Sequence, residues 1–204
     1  MHRAPITLLP TPPRAPAQLH YSCLPCALGM VLIATRSDAP ATATCPLPPL
    51  AVLYMGNEAE PLIAELQRCY PKSQITRDDA GLAALARAVQ TAIATPPLAH
   101  AVPIVLAGTA FQQRVWQALC DIPVGETRSY TELTASLGDA KALRAVARAN
   151  GANEISVFVP CHRVIGKHGS LTGYRWGLGR KQALLQLEGY VPKATAASPQ
   201  MDLI

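Results

Sequence analysis

The stretch from Tyr130 to Asn150 reads YTELTASLGDAKALRAVARAN. It divides at Gly138-Asp139 into two short helical segments, Tyr130–Leu137 and Ala140–Asn150, with Asp139 placed to cap the second. Two helices joined by so short a turn form a helix-turn-helix arrangement. In the second segment Lys141, Arg144 and Arg148 stand at i, i+3 and i+7 and share one face, while Leu143 and Val146 point toward a core. Alanines at 140, 142, 145, 147 and 149 keep the rest of the cylinder thin. A thin basic helix can approach DNA closely. A solvated surface helix built from good helix formers would carry the same residues, so the segment does not decide function by itself.

Working outward, Phe111–Asp121 is helical, with Phe111, Val115 and Leu119 spaced by four, and Gly177–Leu187 is a final helix. Ile155–Val159 reads as a short strand running into Pro160-Cys161. Upstream, the apolar runs Leu28–Thr35 and Leu50–Tyr54 read as strands, separated by a loop with four prolines in residues 39–49. Glu58–Cys69 and Gly81–Thr95 carry helical periodicity, the second with Leu82, Leu85, Val89 and Ile93 on one face. The expected plan is an α/β N-terminal domain, a small sheet with helices, followed by a mostly α C-terminal domain containing the helix-turn-helix. The boundaries are a disordered leader at 1–20, the first domain at 21–98, a linker or edge strand at 99–108, the second domain at 109–190 and a tail at 191–204.

The chain has 204 residues, half of them hydrophobic and 15% charged, which suits a folded globular protein. No apolar run approaches the roughly 20 residues that span a bilayer. Five prolines within the first 16 residues break any signal-peptide helix, so a cytoplasmic protein with no membrane partner is expected. Residues 1–100 hold seven Lys/Arg against six Asp/Glu, whereas Ala140–Lys181 holds eight basic residues and only Glu154 as an acid. A basic block of this kind fits a polyanion such as a phosphate backbone, though a solvated surface would look alike.

Pro160-Cys161-His162-Arg163-Val164 is the sharpest feature. A thiolate is a strong nucleophile, and the neighbouring His162 and Arg163 supply charge that lowers a thiol's pKa. In an extended chain His162 points away from Cys161, so productive contact needs a turn, which Pro160 favours. Glu188 is one of few acids available to orient the imidazole. A lone Cys-His pair is more often a buried structural thiol. The six cysteines (23, 26, 45, 69, 120 and 161) are expected to be reduced, since the chain is too core-rich for a disulfide scaffold. His20, Cys23, Cys26 and Cys45 have short metal-ligand spacing, but they lie in a proline-rich region without a clean second pair, so no metal is expected.

Taken together, GTAFQQRVWQAL (108–119), IPVGETRSYTEL (122–133), KALRAVARANGAN (141–153), VPCHRVI (159–165) and GYRWGLGRKQALLQLEG (173–189) resemble the O6-alkylguanine-DNA alkyltransferases, also called methylated-DNA–protein-cysteine methyltransferases, of bacterial type. The resemblance implies a ribonuclease-H-like first domain and irreversible transfer of an alkyl group from O6-alkylguanine in double-stranded DNA to Cys161, with O4-alkylthymine a further substrate class. It implies that His162 and Glu188 relay the thiol proton, and that Arg144 fills the gap left by the flipped base. Tyr130 would contact the neighbouring phosphate and donate a proton to the leaving guanine, with Lys141 and Arg148 also on the DNA. Asn153 would link the helix pair to the active-site segment, and Val164, Tyr174 and Arg175 would line the pocket. A single-use acceptor of this kind needs no cofactor, no obligate protein partner and only a monomer. The rival readings are a helix-turn-helix regulator without acceptor activity and a cysteine hydrolase built on Cys161, His162 and Glu188.

Overall fold

The computed structural model describes residues 6–8, 16–39, 46–96, 102–138 and 141–191. Its centre is the pair of strands β3 (Gly29–Arg36) and β4 (Leu50–Gly56), whose apolar runs are buried on both faces. Period-2 side chains of such strands must be covered twice. Helix α1 (Ala59–Cys69) covers one face with Leu62 and Leu66, against Leu32, Val52 and Tyr54. Helix α2 (Ala83–Ala94) presents Leu85, Val89 and Ile93 to the other face.

The sheet has six strands. β1 (Ile6–Leu8) is at one edge, followed by β6 (Ile104–Leu106), β4, β3, β2 (Gln18–Cys26) and β5 (Gln74–Arg77). β2, β3 and β4 are consecutive antiparallel strands, whereas β5 runs parallel to β2 and β6 parallel to β1 and β4. Two expectations fail here. The leader at 1–20 contains β1 and the start of β2, and the linker at 99–108 contains the internal strand β6. Within β2, Pro25 sits beyond Tyr21, the last β2 residue paired with β5, where β2 has become an edge. β6 is only three residues long, too short to show a period, yet all three are buried.

In the C-terminal half, α3 (Ala110–Cys120), α4 (Tyr130–Ser136) and α5 (Leu143–Gly151) pack against the α2 face of the sheet. One apolar core includes Leu53 and Ile104 of the sheet, Val115 and Trp116 of α3, and Val146 of α5, so the two halves share an interior. Trp116 ties α3 to α5 by donating its indole N–H to Ala149 O at 2.8 Å. Asp139 and Ala140, the expected cap and start of the second helix, lie outside the described residues. A two-stranded ribbon, β7 (Arg128–Ser129) with β8 (Val164–Ile165), joins the entry of α4 to the segment after Cys161. Helix α6 (Leu178–Leu187) closes the domain. Among the described residues no helix is long and apolar enough to cross a membrane.

The expected strand at 155–159 is a pair of tight turns. Ile155 makes one bridge to Leu53, then Phe158 N donates to Ser156 O and Cys161 N to Val159 O at 2.9 and 2.8 Å. Val157 stands at φ 74, a strained setting for a β-branched residue. The run ISVFV is buried as a strand would be, but it is wrapped by the sheet and helices instead of being paired along its length. Leu143 also departs from expectation. It is 43% exposed because it opens α5 and projects past the core that Val146 enters.

Helix α4 starts with a reciprocal capping box. Ser129 Oγ accepts from Glu132 N at 3.2 Å, and Glu132 Oε2 accepts from Ser129 N at 2.7 Å. Tyr130 is the first residue of that helix, so the cap fixes the backbone from which its side chain projects. Ser129→Ala is expected to lower the unfolding free energy by about 1 kcal/mol in denaturant titration. An unchanged midpoint would show that the cap contributes nothing.

Candidate active site

Cys161, His162 and Arg163 form one turn of 3₁₀ helix between Val159 and β8. The turn supplies the geometry that an extended chain lacks, so consecutive side chains converge within one buried region. Cys161 is 7% exposed and His162 fully buried. Asn153 organises the approach to this turn, donating from Nδ2 to Cys161 Sγ at 3.0 Å and to Val159 O at 2.8 Å. Its Oδ1 accepts from Ile155 N at 2.9 Å.

Glu188, the residue that ends α6, reaches the other side of the turn. Its Oε1 lies 2.9 Å from His162 Nε2, and Arg163 holds both carboxylate oxygens at 2.8 and 2.9 Å. Arg163 also donates to Ile122 O at 2.5 Å. The Glu188 side chain is only 2% exposed. Burial works to raise its pKa, but the hydrogen bonds from His162 and Arg163 win and bring it down to about 2. Burial pushes the His162 pKa down despite the carboxylate beside it, which leaves a neutral imidazole. His162 Nδ1 has no hydrogen-bond partner in the protein. Burial also pushes the Cys161 thiol up, opposed by the Asn153 hydrogen bond and the Lys181 charge. The resting group is therefore a thiol next to an imidazole that can accept a proton.

Lys181 was not anticipated from the sequence. It is fully buried, donates to Val164 O and Thr172 O at 2.6 and 2.7 Å, and is lowered by burial to about 8. A signal existed. Lys181, Leu184, Leu185 and Glu188 stand at i, i+3, i+4 and i+7, an inward stripe with a charge at each end. The role of Arg163 was also misplaced, because its guanidinium is committed to Glu188 and Ile122 instead of facing the thiol.

Tyr130 is half-buried at the start of α4, and its phenol oxygen accepts from Asn150 Nδ2 at 3.2 Å. Lys141, Arg144 and Arg148 are all exposed, but α5 begins only at Leu143, so Lys141 stands on the turn before the helix and does not share its face as expected. Val164 is buried, and Tyr174 is partly buried with its hydroxyl 3.8 Å from Met55 Sδ. Arg175 is diverted from a pocket role. It pairs with Glu65, and its guanidinium lies 4.9 Å from the ring centroids of both Tyr54 and Trp176.

The histidine and cysteines of the first half do not converge. Alternation along β2 sends Cys23 to the face opposite His20 and Cys26, and those two are six residues, about 20 Å, apart along the strand. Cys45 lies outside the described residues. Among the described residues no group of three His, Cys, Asp or Glu side chains could hold a metal, and cysteines 23, 26, 69, 120 and 161 are free thiols.

With this geometry in place, comparison with known proteins defines the class. The family described as "6-O-methylguanine DNA methyltransferase, DNA binding domain" matches residues 110–190. The inducible methylated-DNA–protein-cysteine methyltransferase of Bacillus subtilis is 40% identical over 156 residues, covering 74% of this chain and 83% of that protein. The chain belongs to the methylated-DNA–protein-cysteine methyltransferase family. Regulatory protein Ada of Salmonella typhimurium is 45% identical over 139 residues, covering 68% of this chain but 39% of that longer protein. The chain thus spans less than half the length of that relative. A crystal structure of Mycobacterium tuberculosis OGT in complex with DNA superposes with a TM-score of 0.63 at 35% identity, covering 83% of this chain and 93% of that one.

The clamp on Glu188 has a pH signature. Its folded pKa is depressed, so its stabilisation is fully present above the unfolded value and is lost as pH falls through the folded value of about 2. Glu188→Gln, which leaves the buried Arg163 uncompensated, should cost about 3–5 kcal/mol around neutral pH. That deficit should shrink as pH is lowered from about 5 toward about 3 in denaturant titrations. A deficit constant across this range would place the stabilisation elsewhere.

Proposed function

We propose that this protein repairs DNA directly, moving an alkyl group from the O6 oxygen of guanine to Cys161, once per molecule. The observation that carries the reading is a buried thiol held by Asn153 one residue from a neutral imidazole that Glu188 and Arg163 lock in place. With Cys161 only 7% exposed, the sulfur is reached by a base that enters the site and not by one still stacked in a duplex. A base turned out of the duplex, at an unstacking cost of a few kcal/mol, can be delivered to it. The helices α4 and α5 act as the helix-turn-helix, with exposed Lys141, Arg144 and Arg148 on phosphates and Arg144 in the space the base vacates. The antiparallel strands β2, β3 and β4 extended by parallel β5 support a ribonuclease-H-like reading of the first half.

In the reaction, His162 takes the Cys161 proton at Nδ1, relayed through water, while Glu188 holds Nε2 and stabilises the imidazolium that forms. The sulfur attacks the alkyl carbon in line, the S–C bond forms and the C–O6 bond breaks, and its electron pair leaves with guanine. Tyr130 donates its phenol proton to the developing anion, and the proton gained by His162 restores the phenol through solvent. Val164 and Tyr174 border the site. The thioether product has no group placed to hydrolyse it, so no cofactor or turnover step is required. A reduced acceptor thiol suits the cytoplasm.

Incubation with duplex DNA containing O6-methylguanine should add one methyl group to the peptide containing Cys161, read by mass spectrometry. Cys161→Ser should bind the same duplex without gaining mass. Arg144→Ala should lose most of its rate on duplex DNA while reacting normally with free O6-benzylguanine. Label on another cysteine, or an intact lesion after exposure to the wild-type protein, would refute the reading.

A further inference from the structure

Asn150 is on the inner side of α5, one turn beyond buried Val146, while Arg144 and Arg148 of the same helix are exposed. It is 6% exposed, and its Nδ2 donates to the phenol oxygen of Tyr130 at 3.2 Å. Its Oδ1 is buried with no hydrogen-bond partner. An unsatisfied buried acceptor is destabilising, so this asparagine is a poor choice if packing were all the position required.

The direction of the bond has a chemical consequence. A phenol has one proton and two lone pairs. When an amide N–H occupies the oxygen, the phenol proton must point away from that donor. We propose that Asn150 is a positioning residue for Tyr130, whose amide N–H holds the phenol as an acceptor on the protein side and so presents its proton to the guanine leaving group. The proposal rests on the alkyl-transfer reading and on Tyr130 as the proton donor. The electrostatics agree. Burial and the nearby Cys161 hold the Tyr130 pKa above its ordinary value, and the Asn150 hydrogen bond acts in the opposite direction, toward release of the proton. No covalent bond to Asn150 forms or breaks. The proton passes from Tyr130 Oη to guanine while the amide stays in place and stabilises the oxygen as it gains negative charge.

The test is a double-mutant cycle on single-turnover rates with duplex DNA containing O6-methylguanine. Tyr130→Phe is expected to slow transfer about a hundredfold. Asn150→Leu, which removes the donor, should slow it roughly fivefold to tenfold. Asn150→Asp should be slower still, because a carboxylate captures the phenol proton. Neither Asn150 change should slow the reaction further in the Tyr130→Phe background, where no phenol remains to orient. Asn150 losses that persist undiminished in that background would overturn the proposal, as would a Tyr130→Phe protein as fast as wild type. A wild-type protein that leaves the lesion intact would instead remove the alkyl-transfer reading itself. A second measurement leaves Asn150 unchanged. The side-chain amide proton resonances of Asn150 should move upfield in Tyr130→Phe as the hydrogen bond is lost, and unmoved resonances would overturn the proposal.

Discussion

The carboxylate of Glu188 is buried at the end of α6, where an unpaired charge could not be tolerated. Arg163 grips both of its oxygens, His162 takes one of them, and the free arm of Arg163 ties the pair to the backbone at Ile122. These contacts require residues 162 and 163 to face the same carboxylate although they are adjacent in sequence. A strand would send them to opposite sides, so the chain takes a 3₁₀ turn, and Cys161 is carried into the turn with them. The same clamp therefore sets the backbone of the thiol, the orientation of the imidazole and the position of α6 with its buried Lys181.

The first half of the protein holds the segment leading into this turn. Leu53 of the central strand donates to Glu154 O and accepts from Ser156 N, and the hydroxyls of Tyr54 and Tyr70 both donate to the Glu154 carboxylate. On the far side, Arg180 reaches Leu28 O and the Asn57 side chain, and Arg175 reaches Glu65. The strained φ at Val157 is held between these attachments, four residues before the cysteine. The sheet thus serves as a frame against which Asn153 can aim its amide at the sulfur. Basic α5 and Tyr130 of α4 are joined through Asn150.

Elements with a long period were legible in the sequence. The helices α1, α2, α3, α4 and α6 begin and end within two residues of where apolar spacing and capping residues place them. The core strands β3 and β4 were visible as uninterrupted apolar runs. β2 was hidden because its two faces pack differently and its composition, with His20, Ser22 and Pro25, resembles a loop. The run at 155–159 was misread because burial and β-branching look the same whether a segment is paired or wrapped. At the site, Cys161, His162 and Glu188 converge as the residue types suggested. The roles of Arg163, Lys181 and Asn150 depend on which polar atoms remain buried after folding, and no one-dimensional period carries that information.

The central claim is that burial keeps His162 neutral while the Glu188 carboxylate fixes its proton on Nε2, so that Nδ1 is the base available to Cys161. Nitrogen-15 NMR of the imidazole measures this directly, since protonated and unprotonated ring nitrogens resonate far apart. Around neutral pH the account predicts one neutral tautomer, with Nε2 protonated toward Glu188 and Nδ1 bare. A ring protonated on Nδ1, or an imidazolium that persists at that pH, would contradict it.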